Sequence, residues 1–207
     1  MRSRAIAFIP IVGLIAACSS TEPEPQEGLF GDSFSRMKMS VDATASPQAM
    51  AHQRFVILPA EGTSQNTDNV FQENALLLTL ALEKKGFQRA ASLDTADTAI
   101  FVEYSTSKPT QNKRTSGAYV AQIAAFTLTT TINATDLVEY RRSGVRSSLW
   151  HIHITAELPI GDIRMVFPYM VVAGVDFLGK PTEHTERFSM AMDDHRVEKL
   201  TSLAFPK

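Results

Sequence analysis

The chain has 207 residues, with 20 Lys and Arg set against 22 Asp and Glu, and a single cysteine. A formal charge of −2 argues against the concentrated basic face that nucleic-acid binding needs, and one thiol cannot close an internal disulfide. With 44% hydrophobic residues, a chain of this length can bury one apolar core and stand on it as a single domain.

The N-terminus opens with Met1-Arg2-Ser3-Arg4, two positive charges and no acid, and Ala5 to Ala17 then runs for 13 residues without a charge. At about 1.5 Å per residue such a run is shorter than the ~20 residues of a membrane span, and it has the layout of an export signal. "IAAC", Ile15 to Cys18, resembles the bacterial lipobox: a branched apolar residue, two small residues and the cysteine whose thiol receives diacylglycerol. The resemblance implies cleavage before Cys18 and acylation of the new terminus with palmitate-type chains. An ordinary signal peptide cut after the same triplet would leave that thiol free. Each buried methylene contributes about 0.8 kcal/mol, so one chain binds marginally and two or three anchor stably. Ser19, where an aspartate would divert sorting, implies delivery to an outer membrane facing the periplasm, if the organism has two membranes. Loss of residues 1–17 removes Arg2 and Arg4 and leaves 190 residues with 18 basic against 22 acidic groups, a charge of −4. "SSTEPEPQEGLFGDS" follows. Pro23 and Pro25 lack amide donors and Glu22, Glu24 and Glu27 repel, so residues 18–35 read as an acylated tether ahead of a globular domain over 36–207.

In chain order, "RMKMSVD" alternates apolar and polar residues as an edge strand does, and Phe55 to Leu58, closed by Pro59, reads as a buried strand. From Thr67 or Asp68 as cap, Phe71, Ala75, Leu78 and Leu82 form a helical stripe that Gly86 ends, with Lys84 and Lys85 at the negative end of the dipole. A short strand after Phe87, a turn, and a strand near Thr98 to Thr106 come next. Lys108 to Gly117 is polar and reads as a loop; "AYVAQIAAFTLTTTINATDL" reads as one or two strands, and "SSLWHIHITAEL" as another. Asp162 can cap a second helix carrying Ile163, Val166, Phe167, Met170 and Gly174 on one stripe, with Pro168 kinking or breaking it and Gly179 closing it. "ERFSMAMD" and "DHRVEKLTSLAF" predict a last strand and a short terminal helix. The fold class this implies is α+β: a single mixed, mostly antiparallel sheet with two main helices packed on it.

The tryptophan-ended strand, the short Gly-Asp link and "DIRMVFPYMVVA" before "FLG" together resemble the C-terminal half of a bacterial lipoprotein family catalogued as domain of unknown function number 4136. "FVILP", "LEKKGFQRA", "DTADTAIFVEY" and "INATDL" extend the resemblance, in the family's order, over Arg54 to Gly179. Lys108 to Gly117 and "EYRRSGVR" fall outside it. It implies an envelope lipoprotein of mixed α/β structure, without an established activity or catalytic residue to carry over.

Three clusters could carry chemistry. His151 and His153 stand two apart on a strand, so both rings share a face and could supply two metal ligands. The alternation with Ile152 and Ile154 more simply turns the isoleucines to the core and the histidines to solvent. Asp193, Asp194 and His195 could hold a cation or merely cap a helix. Arg141, Arg142 and Arg146, near Gly144, could grip phosphate or carboxylate groups of a lipid or glycan, or sit as solvated charges on a hairpin loop. No nucleophile elbow, phosphate-cradling glycine loop or Cys-x-x-Cys pair is present. The sequence therefore reads as a noncatalytic binding or accessory module of the envelope with no cofactor or metal. Its bilayer contact is acylated Cys18, and its partner an envelope protein, glycan or lipid. A periplasmic metal-dependent hydrolase is the alternative.

Overall fold

A computed structural model describes residues 36–61, 68–116 and 119–206, without the side chains of 111–123. The expected signal peptide, Cys18, the expected tether and Thr67 lie outside the described residues. Strands β1 (Arg36–Ala45), β2 (Arg54–Pro59), β3 (Gln88–Arg89), β4 (Thr98–Thr106), β6 (Tyr119–Asp136), β7 (Ser148–Leu158) and β8 (Glu186–Ala191) form one sheet in the order β3-β2-β4-β6-β7-β1-β8. The remaining strand, β5 (Thr110–Ser116), pairs with the early half of β6, from Thr110 opposite Ala125 to Ser116 opposite Tyr119. Only the β2–β3 and β2–β4 pairs are parallel; every other pair is antiparallel. This is the expected α+β class.

Four α-helices complete the described residues: α1 (Asp68–Lys84), α2 (Leu137–Ser143), α3 (Ile163–Gly174) and α4 (His195–Ala204). Helices α1, α3 and α4 pack on one another; α1 and α3 lie on one face of the sheet, and α4 adds Val197 to the same core. Successive strand residues point to opposite faces, and β7 shows the consequence. Trp150, Ile152, Ile154, Ala156 and Leu158 are buried against the helices, while His151, His153, Thr155 and Glu157 take the other side. Ile100 and Val102 of β4 and Leu128, Ile132 and Ala134 of β6 join the same core, facing Leu78 and Leu82 of α1 and Phe167 and Met170 of α3. Gly174 lets α3 come close to the sheet: a Cβ there would lie 2.7 Å from Ile154 Cδ1.

Local signals place the helix ends. Gly86 takes φ +93 just beyond α1, conformational space that a Cβ disfavours. Asp162 Oδ1 accepts from the Arg164 amide at 2.9 Å, the expected cap of α3. Pro168 interrupts nothing: α3 runs through it, ends at Gly174 and passes into a 3-10 turn, Val175–Phe177. Gly179, expected to close that helix, instead turns the chain at φ +70 after the 3-10 turn.

Three segments depart from the sequence expectation. The strand from Arg36, expected at an edge, is interior: β1 pairs with β7 on one side and β8 on the other, neighbours that its own alternation does not encode. Lys108 to Gly117 is not simply a loop, because β5 gains a ladder from β6 that composition does not reveal. The stretch from Tyr140 is not a hairpin loop; residues 137–143 are helical. Asp136 Oδ1 accepts from the Glu139 amide at 2.9 Å, Gly144 takes φ +73 at the far end, and Leu137 is buried. A cap and a stop bracketing this short stretch outweigh the polar composition between them.

Among the described residues, Trp150 is the largest fully buried side chain, 1% exposed, and its indole Nε1 has no hydrogen-bond partner. Trp150→Ala is expected to cost about 3–5 kcal/mol of unfolding free energy. Trp150→Phe should cost distinctly less, since it keeps most of the ring and removes a buried donor that is satisfied by nothing. Urea unfolding followed by circular dichroism checks both.

Candidate functional site

Among the described residues, the helices leave the opposite sheet face open except at one corner, where Leu137 of α2 closes over Ala96 and Ala99, with Val56, Leu58 and Phe101 beside them. Asp97 anchors this corner. Both its carboxylate oxygens accept from Arg54 at 2.8 Å, and the Arg54 guanidinium holds its pKa below the usual carboxylate range.

Away from that corner the open face is a grid of polar side chains set by strand register. One row runs Asp42, His153, Thr131, Glu103, and the next Thr44, His151, Asn133. The two histidines do share a face, as period-two alternation requires, and both are half-buried. His153 Nδ1 lies 3.3 Å from Thr131 Oγ1, and Asp42 Oδ1 accepts from Thr185 Oγ1 at 2.7 Å. Partial burial, then the neighbouring His153, pushes the His151 pKa below its ordinary 6.5. Among the described residues, no group of three or more His, Cys, Asp or Glu side chains is gathered where it could hold a metal ion.

Farther along the same face a groove of about 500 Å³ crosses β7, β1 and β8. Register sets its side chains in two rows: Glu157, Lys38 and Ser189, then Thr155, Ser40 and Arg187. Ser40 Oγ and Thr155 Oγ1 are 2.6 Å apart on its floor, and Ser189 Oγ accepts from Arg36 Nε at 2.9 Å. Sequence reasoning missed this groove. The alternation in "RMKMSVD" marks Lys38 and Ser40 as outward-facing, but nothing local says that β8 will lie beside them.

The other clusters resolve into separate structural roles. Arg141 donates to the carbonyls of Leu93 and Ala96 at 2.6 and 2.9 Å, tying α2 to the turn before β4. Arg142 pairs with Glu139 on its own helix at 2.5 Å, and the Arg146 guanidinium sits 6.0 Å from the Tyr140 ring centre and 3.9 Å from Glu61. The three arginines thus have three different partners. Asp194 is the cap of α4: its Oδ1 accepts from the Arg196 amide at 2.9 Å and its carboxylate pairs with the Arg196 side chain. Those bonds lower its pKa to about 2.

His151 sets a pH dependence. Folding lowers its pKa, so the unfolded chain takes up a proton more readily than the folded one. Its neutral form gives full stability above pH 6.5, and stability falls on the acid side of 6.5. His151→Gln should flatten the slope of unfolding free energy against pH in that region. Denaturant titrations between about pH 8 and 5 measure it.

No family model matches the chain, and no curated protein matches it. Among solved structures it is similar to a PDZ domain protein from Parabacteroides distasonis ATCC 8503, with TM-score 0.45 and 12% identity over 77% of this chain and 40% of that one. It is also similar to a PelC dodecamer from Paraburkholderia phytofirmans, with TM-score 0.41 and 11% identity over 70% of this chain and 99% of that one. The chain thus spans 40% of the length of the first of these structures. At such similarity neither protein's properties transfer to this chain.

Proposed function

We propose that this protein is an envelope lipoprotein, held to the periplasmic face of an outer membrane through acylated Cys18, and that its domain is a noncatalytic binding or accessory module. The observation that carries the anchor is Ile15-Ala16-Ala17-Cys18 directly after two arginines and 13 uncharged residues. The small residues give a peptidase access to the backbone, and the thiol that follows is the group to be acylated. Among the described residues no helix is long and apolar enough to cross a membrane, so attachment in this reading falls to the lipid. Residues 18–35 supply 18 positions between the acyl chains and β1, enough to reach about 60 Å when fully extended. The order of motifs resembling the lipoprotein family supports the same reading. For the module itself, the support is a broad polar sheet face with a groove in it, available to an envelope protein, glycan or lipid.

Expressed in a diderm bacterium fed a palmitate analogue, the wild-type chain should take up the label and fractionate with membranes. Its N-terminal peptide should begin at Cys18 and carry the mass of two or three acyl chains. Cys18→Ser should abolish the label. A wild-type mature terminus with a free thiol overturns the proposal.

A further inference from the structure

We propose that the groove across β7, β1 and β8 is a phosphate subsite, gripped by Lys38 and Arg187 over a floor of hydroxyls. This deepens the reading of the domain as a binding module and is independent of the lipid anchor. Lys38 and Arg187 stand diagonally across β1 and β8, since Lys38 pairs with Ser189 and Arg187 with Ser40. Diagonal neighbours in a sheet lie about 7–8 Å apart, a span that one tetrahedral oxyanion bridges. Neither cation has a carboxylate within ion-pair reach among the described residues. That holds even though Glu157 is the direct cross-strand neighbour of Lys38. Arg36 adds a third positive charge beside Ser189.

The floor suits the same ligand. In the Ser40–Thr155 hydroxyl pair one oxygen donates to the other, and the accepting hydroxyl keeps its proton for a ligand oxygen. Positive side chains on an edge strand can serve only to block edge-to-edge pairing, and Arg187 on β8 fits that role. Lys38 does not, because β1 is an interior strand between β7 and β8. Glu157 also lines the groove, which sets the sign of a discriminating test: a carboxylate beside the site weakens binding of an anion and strengthens binding of a cation.

The mature chain, residues 18–207 with Cys18→Ser so that no acyl chain is present, is titrated with inorganic phosphate and with glycerol phosphate, and bound to vesicles of phosphatidylglycerol against phosphatidylcholine. Binding in the first arm identifies a small soluble phosphate as the source, and selective binding to phosphatidylglycerol vesicles identifies a lipid headgroup. In either arm, Lys38→Ala with Arg187→Ala should weaken binding at least about tenfold, the scale of losing charge-assisted hydrogen bonds. Lys180→Ala with Lys199→Ala, which changes net charge equally from exposed positions, should leave it unchanged. Glu157→Gln should tighten binding by about twofold, the scale of one exposed charge contact. Circular dichroism confirms that each variant is folded. Absence of binding in both arms, equal loss in the two double variants, or weaker binding by Glu157→Gln overturns the proposal. None of these outcomes bears on acylation at Cys18, which mass reads separately.

Discussion

The structure depends on one-sided burial of a sheet. Six of the seven strands send residues into a single apolar layer, and α1, α3 and α4 cover it. Trp150, Ile152 and Ile154 on β7 sit at the middle of that layer because β7 lies between β6 and β1. A strand can serve such a layer only in one register, since a slip of one residue would bring His151 and His153 inward and expose Ile152 and Ile154. The core therefore fixes the register of the strands, and with it every neighbour on the opposite face.

That opposite face inherits its chemistry from this constraint. Residues with no part in the core are left as ordered rows of threonine, serine, histidine and charge, spaced by the ladder. Polar side chains placed this way need little reorganisation to meet a ligand, because the backbone beneath them is already held. Among the described residues a helix covers only the corner under α2, where Asp136 starts a short helix and Arg141 ties it down.

Legibility followed physical range. Helices α1, α3 and α4 and strands β2, β4 and β7 were readable because their signals are local: a stripe at helical spacing, an apolar run closed by proline, an aspartate cap, a glycine stop. The side-switching of His151 and His153 was readable for the same reason. Where two local signals competed, composition misled: "EYRRSGVR" suggested a loop, while Asp136 and Gly144 bracket a helix. For β5, no local signal existed, because its order comes from β6.

The sequence by itself determined the apolar periodicities, the caps and stops that bound the helices, and the lipobox-like stretch before Cys18 that motivates the anchor. Tertiary structure alone decided that β1 lies between β7 and β8, which places Lys38 beside Arg187 although 149 positions separate them in the chain. The physical reason is that strand order is a property of how the whole sheet shares one core. No residue's own propensity encodes which distant strand will become its neighbour.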